Sequence, residues 1–487
     1  MHITIVAKVI GMLLMIFSVL GNLPPLLVSL LYGDGVAGAF AYSMAAIFLV
    51  GFLLWSVTAR NKKELGNRDG FLVVTLFWAV LGTAGCLPLI LSDAVNLSVT
   101  DAVFESISGL STTGATVISG LDQLPESILF YRQLLQWLGG MGIIVLAVAL
   151  LPMLGIGGMQ LYKAESPGPI KDNKLVPRLA ETAKSLWYIY LSLTVACALA
   201  YWAAGMTLFD AISHSFSTIA IGGFSTHDAS LGYFNNPLIE IVAIVFMFIA
   251  GINFALHFLT WSKKKDTGIR HYFQDPEFLF YGFILLLVSS VTVFILYISG
   301  IYDSAFDALI KGTFQVVSFA TTTGFTTADF NSWPLFLPYV LLYAAIIGAC
   351  AGSTGGGMKV IRILLIFKQG IREVQRLIHP RAVIPIKLGT KVMPDRVIES
   401  VWGFFAVYVM AFMAMLLALL ATGLDIITAF SAVGACINNL GPGLANVAQN
   451  YGDLPGTAKW ILCFAMLLGR LEVFTLLVLF SPMFWKR

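Results

Sequence analysis

The fold is decided by the stretch Ser111-Thr-Thr-Gly-Ala-Thr116, which recurs in diverged form three more times along the chain. The other copies are Ala220-Ile-Gly-Gly-Phe-Ser225, Thr321-Thr-Thr-Gly-Phe-Thr326 and Asn438-Asn-Leu-Gly-Pro-Gly443. Their shared glycines, Gly114, Gly223, Gly324 and Gly441, lie 109, 101 and 117 residues apart, and another glycine follows each by 28 residues. Because each copy lies between two long apolar stretches, the sequence predicts four repeats of one helix–loop–helix unit.

The composition is that of a membrane protein, with 58% hydrophobic residues, 11% charged residues and a mean hydropathy of +0.87. A membrane-spanning helix needs about 20 apolar residues, and ten stretches qualify. They are 5–31, 37–58, 70–92, 128–154, 184–205, 236–261, 277–300, 335–369, 398–422 and 457–483. The first is interpreted as a retained, kinked helix and not as a signal peptide, since it lacks a cleavage site and Asn22 with Pro24-Pro25 breaks it.

The sequence therefore predicts an all-α polytopic membrane protein with four parallel helix–pore loop–helix repeats around one pore, preceded by two N-terminal helices. The predicted units are 1–69 for the two extra helices, 70–182 and 183–275 for the first two repeats, 276–396 for the third and 397–487 for the fourth. No stretch has the ligand spacing of a resident metal or cofactor site, and no loop is long enough for a soluble domain.

Positive charges are concentrated on alternate loops. With the N-terminus inside, all of the 29 Lys and Arg residues fall on the inner side except Arg132, Lys311, Lys459 and Arg470. The positive-inside rule thus predicts a cytoplasmic N-terminus, with the four loops entering from outside. The basic loops at 60–68, 163–184, 263–270 and 368–396 are explained by this topological signal, and the last is long enough to indicate a docking surface as well.

The four loops have the chemistry of a cation filter. Each follows a segment of about 12 residues, which suits a half-membrane helix, and irregular backbone at membrane depth must line a cavity or be buried in protein. Four such loops on one axis would offer rings of carbonyl oxygens, with the negative ends of the half-helices pointing at the same axis. Because none of the loops carries a carboxylate, the pattern favours a weakly hydrated monovalent cation such as K⁺.

A second informative stretch is Gly348-Ala-Cys-Ala-Gly-Ser-Thr-Gly-Gly-Gly-Met-Lys359. Its glycines each cost a helix roughly 1 kcal/mol relative to alanine, so we expect the helix to break in mid-membrane. A phosphate-binding loop is excluded because Met358 stands where that motif has lysine and no strand precedes it. The residues themselves leave two interpretations, a passive kink or a flexible loop across the pore.

Charged residues within the apolar segments also have two interpretations each. Arg470 lies inside the last span, where a charge is costly and usually functional. It either pairs with a carboxylate such as Glu472 or Glu105, or faces the pore and opposes cation flow. Asp101 and Glu105 begin the first half-helix, where acidic residues cap the positive helix end or draw cations to the mouth.

These loops resemble those of the Trk/Ktr/HKT superfamily of potassium transporters, and in particular its bacterial Trk-type transmembrane subunits (TrkH/TrkG). The resemblance covers the whole chain and is carried by Thr112-Thr113-Gly114, Ile221-Gly222-Gly223-Phe224, Thr322-Thr323-Gly324-Phe325 and Asn439-Leu440-Gly441-Pro442. In plant members a serine at the first filter glycine accompanies sodium selectivity, and this chain has Gly114. The Asn439-Leu440 pair departs from the hydroxyl-rich pattern, so we expect only approximate fourfold symmetry.

The resemblance implies potassium uptake across the bacterial inner membrane, by a homodimer with one pore per protomer and with membrane lipid around it. It implies a K⁺-binding filter at Thr112, Thr113, Gly114, Ile221, Gly222, Gly223, Thr322, Thr323, Gly324, Asn439, Leu440 and Gly441. It also implies a gate formed by Gly352, Ser353, Thr354, Gly355, Gly356, Gly357 and Arg470. Regulation would come from a cytoplasmic TrkA-like nucleotide-binding ring. No tightly bound cofactor and no nucleic acid are expected, only K⁺ as the transported ion.

Other classes of function fit less well. A membrane enzyme would need an intramembrane cluster of carboxylates or histidines, which the sequence lacks. A rocking secondary transporter would show inverted halves and broken helices at matching positions, whereas here the repeats run parallel and one strongly broken helix is expected. Coupling of K⁺ movement to Na⁺ or H⁺ on the same scaffold stays open as the alternative.

Overall fold

The computed structural model describes residues 2–60, 66–142, 179–261, 268–334 and 336–486. The end of the predicted span 128–154 and most of the predicted basic loops at 60–68, 163–184 and 263–270 lie outside the described residues. Within them the chain is helical apart from connecting loops and one antiparallel hairpin, in which Lys387–Leu388 pairs with Lys391–Val392. This confirms the predicted all-α polytopic class.

Two long helices, Ile3–Tyr32 and Ala37–Thr58, precede the repeats and pack against each other. They approach closely at Gly11 and Gly51, where a Cβ atom added to either glycine would lie 2.7 Å from the carbonyl oxygen of the other. Small residues at such crossings are typical of membrane helix pairs. The expected break in the first helix is wrong, because the helix runs continuously through Pro24 and Pro25. Pro25 is buried in the protein, where a proline in a membrane helix is tolerated.

Each repeat then begins with a long helix and a shorter half-helix, which we call the pore helix. The long helices are Asn67–Ala84 (followed by the short Leu87–Leu91), Leu179–Ala203, Pro276–Ile298 and Asp395–Leu420. Pore helices 1 to 4 are Val99–Leu110, Leu208–Ala220, Ala305–Ala320 and Ile426–Ile437. Each pore helix starts at a side-chain N-cap that accepts a backbone N–H, supplied by Ser98, Thr207, Ser304 and Asp425, which are residues that favour this position.

After its pore helix, each repeat returns through a loop, a short 3-10 turn and a second helix. The 3-10 turns are Leu121–Gln123, Ser230–Phe234, Phe330–Ser332 and Ala445–Val447, and the second helices are Glu126–Gly140, Pro237–Ala250, Leu337–Ile347 and Gly456–Arg470. The remaining elements are Phe254–Trp261, Arg270–Gln274, Val360–Ile378, Phe474–Leu477, the 3-10 turn Val478–Phe480, and Pro482–Trp485.

The second helices of repeats 2, 3 and 4 are short, with 14, 11 and 15 residues. Six helices in the described residues are long and apolar enough to cross a membrane, and they are the two N-terminal helices and the first helix of each repeat. The expectation of a single strongly broken helix is wrong, since Pro237–Ala250 and Phe254–Trp261 meet at 90° around Gly251. A Cβ atom on Gly251 would lie 2.3 Å from the hydroxyl of Tyr281, so the break occurs where the chain must approach its neighbours closely.

Candidate functional site

The four pore helices end in the same hydrogen-bonded turn, a Schellman motif. In each repeat the residue before the shared glycine donates its N–H to the carbonyl five residues earlier, and the residue before that donates three residues back. The longer bonds are Thr113 to Ser108 (2.9 Å), Gly222 to Ser217 (2.8 Å), Thr323 to Ser318 (2.8 Å) and Leu440 to Ala435 (2.9 Å). The equivalence of the four loops, which the glycine spacing predicts, thus extends to individual hydrogen bonds.

The backbone of these loops is strained in the same place. Residues Thr112, Ile221, Thr322 and Asn439 have φ values of 56°, 55°, 67° and 53°, and the glycines two positions later have φ values of 80°, 79°, 86° and 94°. A left-handed conformation is rare for β-branched residues such as Thr and Ile, and such strain clusters at functional sites. In each loop a residue outside the left-handed region thus lies between two left-handed residues, as Thr113 lies between Thr112 and Gly114. This alternation turns successive backbone carbonyl groups toward the same side of the chain.

The four loops close into a ring. A Cβ atom on Gly114 would lie 2.1 Å from the carbonyl oxygen of Gly222, one on Gly223 would lie 2.0 Å from that of Thr323, and one on Gly324 would lie 2.0 Å from that of Leu440. One on Gly441 would lie 2.8 Å from the carbonyl oxygen of Thr113, which returns to the first loop. Each glycine therefore faces a carbonyl of the next repeat, and any side chain there would collide with it.

Polar side chains lie behind the ring. Nine residues before each shared glycine stand Glu105, His214 and Gln315 in the first three repeats, and Ala432 in the fourth. The imidazole Nε2 of His214 lies 2.9 Å from the Ser225 hydroxyl, and Gln315 donates to the Phe325 carbonyl at 3.4 Å. The sequence prediction singled out only Glu105 among these residues, although the shared spacing is a signal that could have revealed His214 and Gln315 as well.

The carboxylate of Glu105 belongs to a buried network that joins the first two repeats. Arg132 donates Nε to Glu105 Oε1 at 2.8 Å and Nη1 to the Ser225 carbonyl at 3.1 Å, and its guanidinium lies 4.3 Å from the centre of the Phe224 ring. Glu105 also accepts the N–H of Val117 at 2.9 Å. The partner of Glu105 is thus Arg132, and the carboxylate is a structural group that holds the outer ends of loops 1 and 2.

Two more side chains of the helix Glu126–Gly140 contact the second loop. Gln133 donates to the Phe224 carbonyl at 3.2 Å, and Gln136 donates to the Gly222 carbonyl at 2.6 Å. The sequence prediction did not include these two residues, although polar side chains in an otherwise apolar membrane helix are the signal that could have revealed them.

The segment 348–359 lies against the C-terminal ends of pore helices 2, 3 and 4. The N–H of Gly356 donates to the Thr322 hydroxyl at 2.7 Å, the N–H of Gly357 donates to the Asn438 carbonyl at 3.1 Å, and the Thr354 hydroxyl donates to the Ile219 carbonyl at 2.9 Å. A Cβ atom on Gly356 would lie 1.9 Å from the Asn438 carbonyl oxygen. The segment therefore touches repeats 2, 3 and 4 on the side of the ring opposite the outer loops.

Arg470 links this segment to the remaining repeat. Its Nη1 donates to the Thr354 carbonyl at 3.1 Å, and its Nη2 donates to the Gly139 carbonyl of repeat 1 at 2.7 Å. Nearby, Glu472 forms an ion pair with Arg362. The predicted gate residues Thr354, Gly355, Gly356 and Gly357 are thus brought together with Arg470 below the ring. Gly352 and Ser353 lie further back, where the Gly352 carbonyl accepts the Phe254 N–H at 3.0 Å.

The three cations that the sequence placed on the outer side are all in ion pairs. Besides Arg132, Lys311 of pore helix 3 pairs with Glu240 of the second repeat at 2.6 Å, and Lys459 of the fourth repeat pairs with Asp101 of pore helix 1 at 2.5 Å. Both of these pairs join the second helix of one repeat to the pore helix of the next. Asp101 therefore lies in the first turn of pore helix 1 and also forms an ion pair with Lys459.

A histidine cluster lies between repeats 1 and 2, on the side that the charge pattern predicts to face outward and that we call the outer mouth. His227 is stacked on Tyr233 with ring centres 3.5 Å apart, and its ring nitrogens lie 2.5 Å from Asp122 Oδ1 and 3.5 Å from Asp210 Oδ1. Burial alone would lower the pKa of His227, but the hydrogen bonds to the two carboxylates outweigh it and raise that pKa above its ordinary value.

Known proteins are similar to this chain along its length. The TrkH family, described as cation transport proteins, matches residues 37–487. The Trk system potassium uptake protein TrkH of Salmonella typhimurium is 58% identical over 487 residues, covering 100% of both chains, and that of Vibrio parahaemolyticus is 57% identical over 481 residues, covering 99% of both. The crystal structure of the potassium transporter TrkH from Vibrio parahaemolyticus superposes with a TM-score of 0.91 at 55% identity, covering 100% of both chains.

Proposed function

The chain belongs to the TrkH family of cation transport proteins, and we propose that it takes up K⁺ across the bacterial inner membrane through the ring of its four loops. The family and the relatives are transport proteins and not enzymes, and the relatives are named potassium uptake proteins of the Trk system. The observation that carries the proposal is the ring itself, in which each shared glycine faces a carbonyl oxygen of the next repeat.

The filter would consist of the last turn before each glycine. Carbonyl groups replace the hydration shell of a cation with dipoles of moderate strength, and the C-terminal ends of the four pore helices add partial negative charge. The twelve filter residues are Thr112, Thr113, Gly114, Ile221, Gly222, Gly223, Thr322, Thr323, Gly324, Asn439, Leu440 and Gly441. Both features favour K⁺ and Rb⁺ over the more strongly hydrated Na⁺ and Li⁺.

The segment 348–359 would be the gate. Its contacts with Thr322, Asn438 and Ile219 lie directly below the filter, and Arg470 fastens it to repeat 1. Lys359 ends the segment and is followed directly by the helix Val360–Ile378, which contains Arg362 and reaches the basic stretch 368–396. This continuity gives a short mechanical route from the inner surface to the pore.

A cytoplasmic partner would control the gate, since a permanently open pore would dissipate the membrane potential. The relatives are components of a Trk system, which supports a Trk-type partner, and we propose a nucleotide-binding ring that docks on the basic inner face of a homodimer. The N-terminus would then be cytoplasmic. Arg381, Lys387 and Arg396 are exposed there, whereas Arg372 is buried and paired with Asp395 at 2.9 Å.

The filter is tested by competitive ⁸⁶Rb⁺ flux into proteoliposomes. We expect K⁺ and Rb⁺ to compete and Na⁺ and Li⁺ to compete poorly, and Gly114→Ser to lose about tenfold in K⁺/Na⁺ discrimination because its Cβ meets the Gly222 carbonyl. Wild-type flux without preference for K⁺ would refute the proposed function. Repeating the assay with a pH or Na⁺ gradient decides whether transport is coupled to either ion.

The docking surface is tested by reversing the charges of Arg381, Lys387 and Arg396 together. Exposed charges act over about 8–10 Å at physiological ionic strength, so the partner should bind the variant more weakly, and binding to the wild type should weaken with salt. The matched control is Arg372→Gln, which removes a buried cation of the same segment. Full partner binding and full nucleotide response in the triple variant would exclude this surface.

A further inference from the structure

The second loop differs from the others at the position before its shared glycine. That position holds Gly222, whereas the other loops have Thr113, Thr323 and Leu440. The backbone does not require a glycine here, because Gly222 is not in the left-handed region that Gly223 occupies with a φ of 79°. The reason for Gly222 must therefore be space and not conformation.

The space beside Gly222 is filled by Gln136 of repeat 1. A Cβ atom on Gly222 would lie 2.4 Å from both Cδ and Oε1 of Gln136, whose side chain is fully buried. The amide of Gln136 donates Nε2–H to the Gly222 carbonyl at 2.6 Å and accepts the N–H of Phe224 at 3.1 Å. Its orientation is fixed, since one partner only accepts and the other only donates. The side chain of Gln136 thus bonds to the backbone on both sides of Gly223, at Gly222 and at Phe224.

In loops 1, 3 and 4, side chains of the loops themselves bond in this region. The hydroxyl of Thr113 lies 2.7 Å from that of Ser111 and accepts Nδ2–H of Asn439 at 2.9 Å, and the hydroxyl of Thr323 lies 2.8 Å from that of Thr321. Gly222 has no side chain with which to do this. At the position of Gln136 in the other second helices, counted from the shared glycine, stand the apolar residues Val245, Ile346 and Cys463.

We propose that Gln136 is a positioning residue that determines the ion specificity of the filter. It substitutes for the missing side chain of residue 222 and sets the direction of the Gly222 carbonyl, which faces Gly114 across the boundary between loops 1 and 2. The inference rests on the proposed function, because it concerns the selectivity of that same ring.

A double-mutant cycle tests whether Gln136 takes the place of a side chain at position 222. The variants are Gln136→Ala, Gly222→Thr and the two combined. Each single variant should lower the K⁺/Na⁺ ratio in competitive ⁸⁶Rb⁺ flux by about tenfold, the size expected for one lost hydrogen bond or one steric conflict. The double variant should recover most of the wild-type ratio, because the introduced threonine side chain then occupies the space that Gln136 vacates and loop 2 resembles loops 1 and 3. Such recovery is strong non-additivity between residues in contact.

The ratio does not depend on how many molecules are active, so a loss of folded protein alone leaves it unchanged. Cys463→Ala, at the equivalent position of repeat 4, is the control and should keep the wild-type ratio. A wild-type ratio in Gln136→Ala, or a double variant no better than the worse single one, would overturn the role of Gln136 while leaving potassium transport intact. If a single variant is inactive, recovery of flux in the double variant supports the proposal and its absence refutes it.

Discussion

The four loops of the ring, which we propose as the filter, and the segment 348–359 are both irregular, glycine-rich backbone, but they are held in different ways. Each filter loop is tied to its own pore helix by bonds such as Thr323 N–H to the Ser318 carbonyl. The segment 348–359 instead bonds outward, to Thr322, Asn438 and Ile219 of three repeats. The backbone turn of each loop is thus set by its own helix, with side chains of other repeats bonded to it, whereas the segment 348–359 combines a few bonds of its own with bonds to other repeats and can move without breaking the four turns.

Deleting Gly355 to Gly357 should reveal the largest difference between the two regions, because it should change basal flux without changing the K⁺/Na⁺ ratio. The deletion removes the bonds from Gly356 and Gly357 to Thr322 and Asn438, so we expect basal ⁸⁶Rb⁺ flux without the regulatory partner to rise on the order of tenfold. The K⁺/Na⁺ ratio should not change, because the filter loops keep their own turns. A fall in flux or a collapse of the ratio would show that the segment is part of the filter.

Arg470→Lys should have a smaller effect and decides what the arginine does. The guanidinium spans the carbonyls of Thr354 and Gly139, and an ammonium group keeps the charge but cannot replace this planar two-sided contact. If Arg470 holds the segment in place through these hydrogen bonds, basal flux of Arg470→Lys should rise about fivefold, equivalent to the loss of one net hydrogen bond. If it is a charge barrier, Lys should behave as wild type and only Arg470→Gln should raise the flux.

The smallest effect is expected at the outer mouth, where His227 follows the second loop of the ring. Because the pKa of His227 is raised, its protonated form stabilises the fold below the ordinary histidine pKa, and this contribution is lost as the pH rises through the raised pKa. His227→Gln should therefore lower the melting temperature by about 1–2 °C near pH 5.5 and by less near pH 8.5. The charged and titratable groups that face the imidazole of His227 are Asp122, Asp210, His214 and Tyr233.

Thermal unfolding across this pH range checks the prediction, with His379→Gln on the exposed inner surface as the control. An equal difference in melting temperature at both pH values would exclude His227 as the titrating group. The K⁺/Na⁺ ratio of the variant should stay at the wild-type value, since the imidazole of His227 contacts Asp122 and Asp210, which are not among the proposed filter residues.

Features with a local cause could be predicted from the sequence. The half-helices follow from short apolar segments before Gly114, Gly223, Gly324 and Gly441, and the break at 348–359 follows from its consecutive glycines. The break at Gly251 had a local signal too, the glycine 28 residues after Gly223. This signal is weak, because one glycine in an apolar stretch is compatible with an unbroken helix, and the close approach of Tyr281 to Gly251 is visible only in the structure.

Contacts between repeats could not be predicted, because they depend on which repeats are neighbours and in what register. The carboxylate partners considered for Arg470 were Glu105 and Glu472, and the structure pairs them with Arg132 and Arg362. Gln136 meets Gly222 across 86 positions of the chain. Nothing in the local pattern around Gln136 distinguishes a residue that bonds to a loop of another repeat from one that faces another helix.

The closure of the ring has a consequence for biosynthesis. The bonds that join its two ends, Asn439 to Thr113 and Lys459 to Asp101, connect residues 326 and 358 positions apart. Contacts of such sequence separation are late events in folding, since loop-closure entropy is paid before they form. A ribosome must finish the last repeat before the first one acquires its partner. A chain that lacks the last repeat thus holds at most three quarters of the ring, and the ring closes only at the end of synthesis.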